Sequence, residues 1–249
     1  SFEFYVRSIP FDLSGVRYVL LSFRDIRNEK RKAALERIFF HDILNTASSI
    51  RVYLDLLKAG VSGENNLRIV ERLEMICNAL VEEIQSQKIL VSAENKTLTV
   101  QKSLISAQEF VGQLIGQFED QEISRGKTIS RAPFSESFAL MSDDSLLRRV
   151  LANGLKNALE ATPEGGTVTV GFGTLEGGKA RFWVRNPTYV PPEVQRQIFQ
   201  RYFSTKGEDR GLGTYGMKLL TEEYLGGKVG MESSPEHGTT FTVTLPLRP

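Results

Sequence analysis

Cysteine, histidine and net charge are all scarce in this chain, and each scarcity removes a class of function. One cysteine, Cys77, can form neither an intramolecular disulfide nor a multi-cysteine zinc site, and two histidines add little toward a structural metal. A reducing, cytoplasmic setting is therefore expected. The 31 basic and 30 acidic side chains nearly cancel, so no global field draws the chain to nucleic acid or an acidic membrane. No apolar run approaches the roughly 18 residues that would cross a bilayer, and no signal peptide is present, so no membrane contact is expected within the chain. It opens on Ser1, inside what reads as a strand, and is expected to be a fragment whose longer parent is free to carry a membrane anchor.

What is present is an ordinary globular composition, 41% apolar and 24% charged, over 249 residues, a length that suits two domains. Phe2–Arg7 and Val16–Phe23 are rich in aromatic and β-branched residues and flank a turn signal at Asp12–Gly15, which predicts a β-hairpin. From about Asp25 to Gly60 the pattern is helical. Ile38, Ile43, Leu44, Ala47, Ile50, Leu54 and Leu57 recur at three- and four-residue steps and form one stripe. After a loop at Ala59–Asn66, Leu67, Val70, Leu73, Ile76, Leu80, Ile84 and Ile89 form a second. Two such helices make an antiparallel hairpin with more apolar surface than it can bury alone, so a homodimeric four-helix bundle is expected.

Beyond Glu94–Lys96 the pattern mixes strands and helices. Strands are expected near Leu98–Lys102, Lys127–Ala132, Phe138–Met141, Thr167–Gly173, Ala180–Val184, Lys228–Ser233 and Thr240–Leu245. Helices are expected near Ser106–Glu122, Asp143–Ala161, Pro192–Gln200 and Thr214–Tyr224. The fold class that follows is α+β, with helices layered on a mostly antiparallel sheet.

Four motifs carry chemistry. In Phe40-His41-Asp42-Ile43-Leu44-Asn45 the His41 imidazole can attack a γ-phosphate, the Asp42 carboxylate can fix its tautomer and accept its proton, and Asn45 lies one helical turn further on the same face. In Asn153-Gly154-Leu155-Lys156-Asn157 two carboxamides share one face of an otherwise apolar helix. Their hard oxygens suit Mg²⁺, with Asn157 the expected ligand. Gly211-Leu212-Gly213-Thr214-Tyr215-Gly216 opens a helix, where glycines admit phosphates close to backbone amides. Upstream, Phe199 and Phe203 can anchor a lid whose Lys206 reaches a polyphosphate.

In that order and spacing, from about Asp25 to Leu247, these segments resemble the H, N, F and G2 boxes of sensor histidine kinases. The resemblance implies a dimerisation and phosphotransfer hairpin over 26–96 and a Bergerat-type ATP-binding sandwich over 97–249. Residues 1–25 resemble the end of a PAS-like domain. It further implies ATP and Mg²⁺ as cofactors, autophosphorylation of His41, and transfer to an aspartate on a response regulator receiver domain. Asn153, Lys156, Asn157, Lys206, Gly211, Leu212, Gly213, Thr214 and Gly216 would hold the nucleotide, and Thr240 would lie near the adenine. An Asn at the place of Asn45 is common in kinases of this family that also act as phosphatases. One box departs. Where the family carries Asp-x-Gly-x-Gly, the chain reads Val184-Arg185-Asn186-Pro187-Thr188. Strand parity puts Asn186, not Arg185, on the face of Phe182 and Val184, so Asn186 takes the adenine-binding place as a neutral acceptor. This departure keeps open an alternative, a non-catalytic dimeric phosphotransfer scaffold with a degenerate nucleotide domain. Another ATPase sharing the Bergerat fold is the third reading.

Overall fold

The computed structural model describes residues 4–26, 43–57, 64–133, 137–201, 203 and 212–247. It divides into two compact units, Ser1–Lys88 and Ile89–Pro249. No described helix is long and apolar enough to cross a membrane.

In the first unit β1 (Phe4–Leu13) pairs antiparallel with β2 (Val16–Asp25), from Phe4 opposite Asp25 to Leu13 opposite Val16. The turn is only Ser14–Gly15, at φ 51° and 80°, the left-handed pair that a two-residue hairpin turn requires. The strands are longer than the sequence expectation because the alternation continues through Ile9, Phe11 and Leu13. Pro10 is tolerated in a two-stranded sheet, where both strands are edges. Asp25 still belongs to β2, so the helix expected from that position does not begin there, and 27–42 lie outside the described residues. Residues 43–57 form helix α1, and Glu64–Glu94 form α2. Along them Leu44, Val52, Leu54, Leu67, Val70 and Ile84 are exposed.

The second unit is built on a five-stranded sheet in the order β4-β6-β7-β9-β8, formed by β4 (Thr128–Arg131), β6 (Thr167–Leu175), β7 (Lys179–Asn186), β8 (Lys228–Ser234) and β9 (Gly238–Pro246). Only β4 and β6 run parallel. A separate antiparallel pair joins β3 (Ser103–Ser106) to β5 (Ala139–Ser142). One face of the large sheet is apolar at alternate positions, with Val168, Val170, Phe172, Ala180, Phe182, Val184, Val243 and Leu245 all buried. Helices α3 (Ala107–Glu119) and α4 (Asp144–Ala161) complete the core through Phe110, Leu114, Leu147, Val150, Leu155 and Leu159. This is the expected α+β sandwich. The last turns of α2 belong to it as well, with Leu90 and Ala93 buried.

Capping groups set the placement of α4. Asp143 is buried, and its Oδ1 accepts the Leu146 N–H at 3.0 Å. Its Oδ2 accepts the Gln101 N–H at 2.7 Å. That second bond accounts for a correction to the sequence reading. Leu98–Lys102 is not a strand, because the Thr97 and Leu98 N–H groups close α2 on the Ser92 carbonyl and Gln101 is taken by Asp143, leaving pairing to begin at Ser103. The C-terminal end of α4 is closed by Lys127 Nζ on the Leu159 carbonyl at 2.7 Å and Thr162 Oγ1 on the Ala158 carbonyl at 2.6 Å. One further element is shorter than expected, α5 at Pro192–Gln195, whereas the helix expected near Thr214–Tyr224 is present as α6 (Gly213–Leu219) followed by one wider helical turn at Leu220–Tyr224.

The start of β9 depends on glycine. Gly238 has φ 70°, and a Cβ there would stand 2.1 Å from the Asn186 carbonyl oxygen. Gly238→Ala is expected to lower stability by about 2–4 kcal/mol, through strain at a left-handed residue and a backbone clash. Gly230→Ala in β8 has open space around it and an ordinary φ, and should stay within about 1 kcal/mol of the parent. Urea unfolding of both variants checks the contrast, and equal midpoints would refute it.

Candidate functional site

The site is assembled where α4, the end of β7 and the start of α6 converge. Gly154 allows the approach: a Cβ there would stand 3.4 Å from Met217 Cε on α6 and 3.9 Å from Val184 Cγ2 on β7. Two turns further along α4, the Ala161 carbonyl accepts the Thr188 hydroxyl at 2.6 Å. Asn186 lies between Val184 and Thr188 in sequence, the two residues through which this end of β7 meets α4. On the side toward α6, a Cβ at Gly213 would stand 4.0 Å from Asn153 Oδ1. Asn153 and Asn157 are half-buried, and neither carboxamide has a side-chain hydrogen bond among the described residues. Lys156, between them, is exposed.

Asn186 is 3% exposed, in series with Ala180, Phe182 and Val184, while Arg185 points outward and donates through Nε to the His237 carbonyl at 2.9 Å. The parity argument therefore describes β7 correctly. Carried across to β9 it also identifies a residue that sequence reasoning missed. Asn186 pairs with Thr239, whereas Thr240 pairs with Arg185 on the outer face. Thr239, 2% exposed and two residues before the buried Phe241, is the β9 residue beside Asn186, and Thr240 is not. Counting back from Phe241 in steps of two would have found it.

At the start of α6 the helix has no side-chain cap, and the Gly216 N–H closes the first turn on the Leu212 carbonyl at 2.7 Å. Thr214 is buried and its hydroxyl donates to the Ile198 carbonyl, so it ties α6 to the segment after α5. Phe199 anchors that segment edge-on against Phe241, with ring centroids 6.4 Å apart. His41, Asp42, Lys206 and Gly211 lie outside the described residues. Asn45 is exposed on α1, where its carbonyl accepts the Ser49 hydroxyl at 3.1 Å.

A charged cluster joins α2 to this region. Arg201 Nη2 lies 2.7 Å from the Glu94 carboxylate, and the guanidinium stands 5.5 Å from the centre of the Tyr215 ring. The Tyr224 hydroxyl donates to the Ala93 carbonyl at 2.6 Å. Burial pushes the Tyr215 hydroxyl above its ordinary value of 10.0, with the Glu94 carboxylate adding to the rise and Arg201 opposing it.

Residues 142–249 match the family model described as histidine kinase-, DNA gyrase B-, and HSP90-like ATPase. Over 96% of its length the chain is 24% identical to Sporulation kinase A of Bacillus subtilis, of which it spans 41%. Among solved structures, the catalytic domain of histidine kinase ThkA is 26% identical with a TM-score of 0.54, over 60% of this chain and 97% of that one. ThkA crystallised with the response regulator protein TrrA aligns over 99% of this chain and 78% of that one at a TM-score of 0.58 and 20% identity, a likeness of fold.

Because its folded-state value is raised, Tyr215 contributes stability that is fully present below its ordinary value and is lost as pH rises through the raised one. Tyr215→Phe should therefore flatten the alkaline limb of the stability profile. In ultraviolet titration, Glu94→Gln should bring the Tyr215 transition down and Arg201→Ala should move it up. Shifts of the opposite sign would remove the cluster from its titration.

Proposed function

We propose that residues 142–249, which match the histidine kinase-, DNA gyrase B-, and HSP90-like ATPase family model, form an ATP-binding domain of the sensor histidine kinase type, and that the chain is the core of a two-component kinase that phosphorylates its own His41. What supports this reading most is the packing of α4, which carries Asn153 and Asn157, against both the end of β7, which carries the buried Asn186, and the uncapped start of α6, where Gly213 approaches Asn153. A purine would lie against Asn186. The triphosphate would lie toward Gly213, where free amide donors and the positive end of a helix suit anionic oxygens. Asn157, with Asn153 beside it, fits Mg²⁺: a half-buried carboxamide without a side-chain partner offers the hard oxygen this ion prefers. When bound, Mg²⁺ would supply charge neutralisation at the phosphates. Lys206 and the amides of 211–216 would supply the rest, with Thr214 as a positioning residue through Ile198.

In the reaction, an imidazole nitrogen of His41 attacks the γ-phosphorus, the bond to the β-bridging oxygen breaks, and ADP departs. The Asp42 carboxylate takes the imidazole proton. The phosphoryl group then passes from the phosphoramidate to a carboxylate oxygen of an aspartate on a receiver domain. Little covalent work falls to the protein beyond positioning and charge. The exposed apolar side chains of α1 and α2 support a homodimer built on 26–96. Residues 1–25 would be the end of a PAS-like domain, and the setting would be cytoplasmic.

Incubation with γ-labelled ATP and Mg²⁺ should leave an acid-labile, base-stable label, and His41→Gln should abolish it. His237 is the only other histidine, and label retained in the His41 variant would refute the assignment. A chain that binds ATP and never labels would instead fit the scaffold reading.

Asn45 should serve the reverse reaction, since a carboxamide one turn from the phosphoacceptor can align water against a regulator's aspartyl phosphate. Asn45→Ala should keep autophosphorylation within a few-fold and slow regulator dephosphorylation by roughly tenfold, a barrier change of about 1.4 kcal/mol. Unchanged dephosphorylation would make Asn45 structural.

A further inference from the structure

The hydrogen bonds around Asn186 assign their protons one by one. The Val190 N–H donates to Ser233 Oγ at 2.9 Å. Thr239 Oγ1 donates to the Thr188 carbonyl at 2.6 Å. Thr239 has then used its only proton, so the 2.8 Å contact between Ser233 Oγ and Thr239 Oγ1 must be donated by Ser233. Gln195 Nε2 is held by the Val190 and Ser233 carbonyls at 2.7 and 3.1 Å. Every proton of this network is committed, and Thr239 can offer a ligand only a lone pair.

Asn186 stands beside the network on the buried face, and its carboxamide has no hydrogen bond to any described residue. Unlike a carboxylate, the amide carries both a donor and an acceptor, and a half-turn about its last side-chain bond exchanges them. Against a 6-aminopurine, Oδ1 accepts from the amine while Nδ2 donates to ring N1. Against a 6-oxopurine, Nδ2 donates to the oxygen while Oδ1 accepts from the N1 proton. Both pairings are complete. A carboxylate offers acceptors only, so its oxygen facing position 6 accepts from the amine and repels the oxo group.

The geometry points to a purine site that does not discriminate at position 6: this chain takes 6-oxopurine triphosphates as well as ATP, with Asn186 the specificity-determining residue. The inference rests on the proposed nucleotide site, and its test separates the two.

Competition binding to the full chain with Mg²⁺ uses ATP and inosine triphosphate as probes. The wild-type dissociation constants should agree within about tenfold. Asn186→Asp should retain ATP and widen the ratio by at least about tenfold, the discrimination expected when a polar site loses its complementary partner. A wild-type preference for ATP beyond tenfold, or a ratio that Asn186→Asp leaves unchanged, overturns the inference while leaving the nucleotide site intact. Failure of both nucleotides to bind overturns the site itself and the inference with it. Should Asn186→Asp fail to fold, the wild-type ratio alone decides.

Discussion

The register that sets Asn186 opposite Thr239 governs the direction of every side chain at this end of the large sheet. Side chains alternate strictly along a strand, so a slip of one residue would place Arg185 and Thr240 inside and turn Asn186, Phe182 and Val184 out. Burying a guanidinium without a partner costs on the order of several kcal/mol, and the apolar burial of Phe182 and Val184 would be lost with it. The close approach of Gly238 to the Asn186 carbonyl holds the same register from the backbone side, because only a glycine fits there. The arrangement that seals the core is thus also the one that turns the Asn186 carboxamide to its inner face. A site placed at the end of a core strand inherits the precision of the core.

A second constraint acts on the last turns of α2, which belong to the second unit. Leu90 and Ala93 are buried, the Ala93 carbonyl is held by Tyr224, and Glu94 is held by Arg201 with Tyr215 alongside. Tyr215 lies inside the glycine-rich motif and Arg201 two residues after Phe199, so one glutamate at a helix end meets both segments expected to handle phosphates. The ion pair is partly solvated, with side chains 29% and 22% exposed, and by itself it adds little stability. Its weight is positional. Thr214 on Ile198 and Phe199 on Phe241 fix the same segments from the core side, so α6 and the segment after α5 are held at both flanks.

The sequence displayed the strands of the large sheet because each is a short alternating run bounded by turn residues, and α4 because its apolar residues recur at helical spacing over 18 residues. Parity alone settled the choice between Arg185 and Asn186. The same argument was available for Thr239, but Gly-Thr-Thr-Phe offers two chemically identical residues, and only the count from Phe241 separates them. The Leu98–Lys102 strand failed for a different reason. Leu98 and Val100 alternate as a strand would, yet the donor that a neighbouring strand would have needed is taken by Asp143, 42 residues away in the chain. The Glu94–Arg201 pair, 107 residues apart, leaves no local signal at all.

The chemistry of the donor set has a consequence for how the two halves of the proposed reaction divide their work. Asn153, Asn157 and Asn186 are neutral, so the contribution proposed for them in nucleotide binding would neither appear nor disappear with a proton. A carboxylate in the place of Asn186 would give a stronger charge-assisted bond to an amine, but it would also need its own desolvation offset, which an amide with matched partners needs much less. The carboxamide site trades strength of a single bond for complementarity on two atoms. In the proposed reaction, proton movement would then belong to His41 and Asp42, where the nucleophile needs it. Binding and proton transfer are in this way assigned to side chains of different chemistry, one set that cannot titrate and one that must.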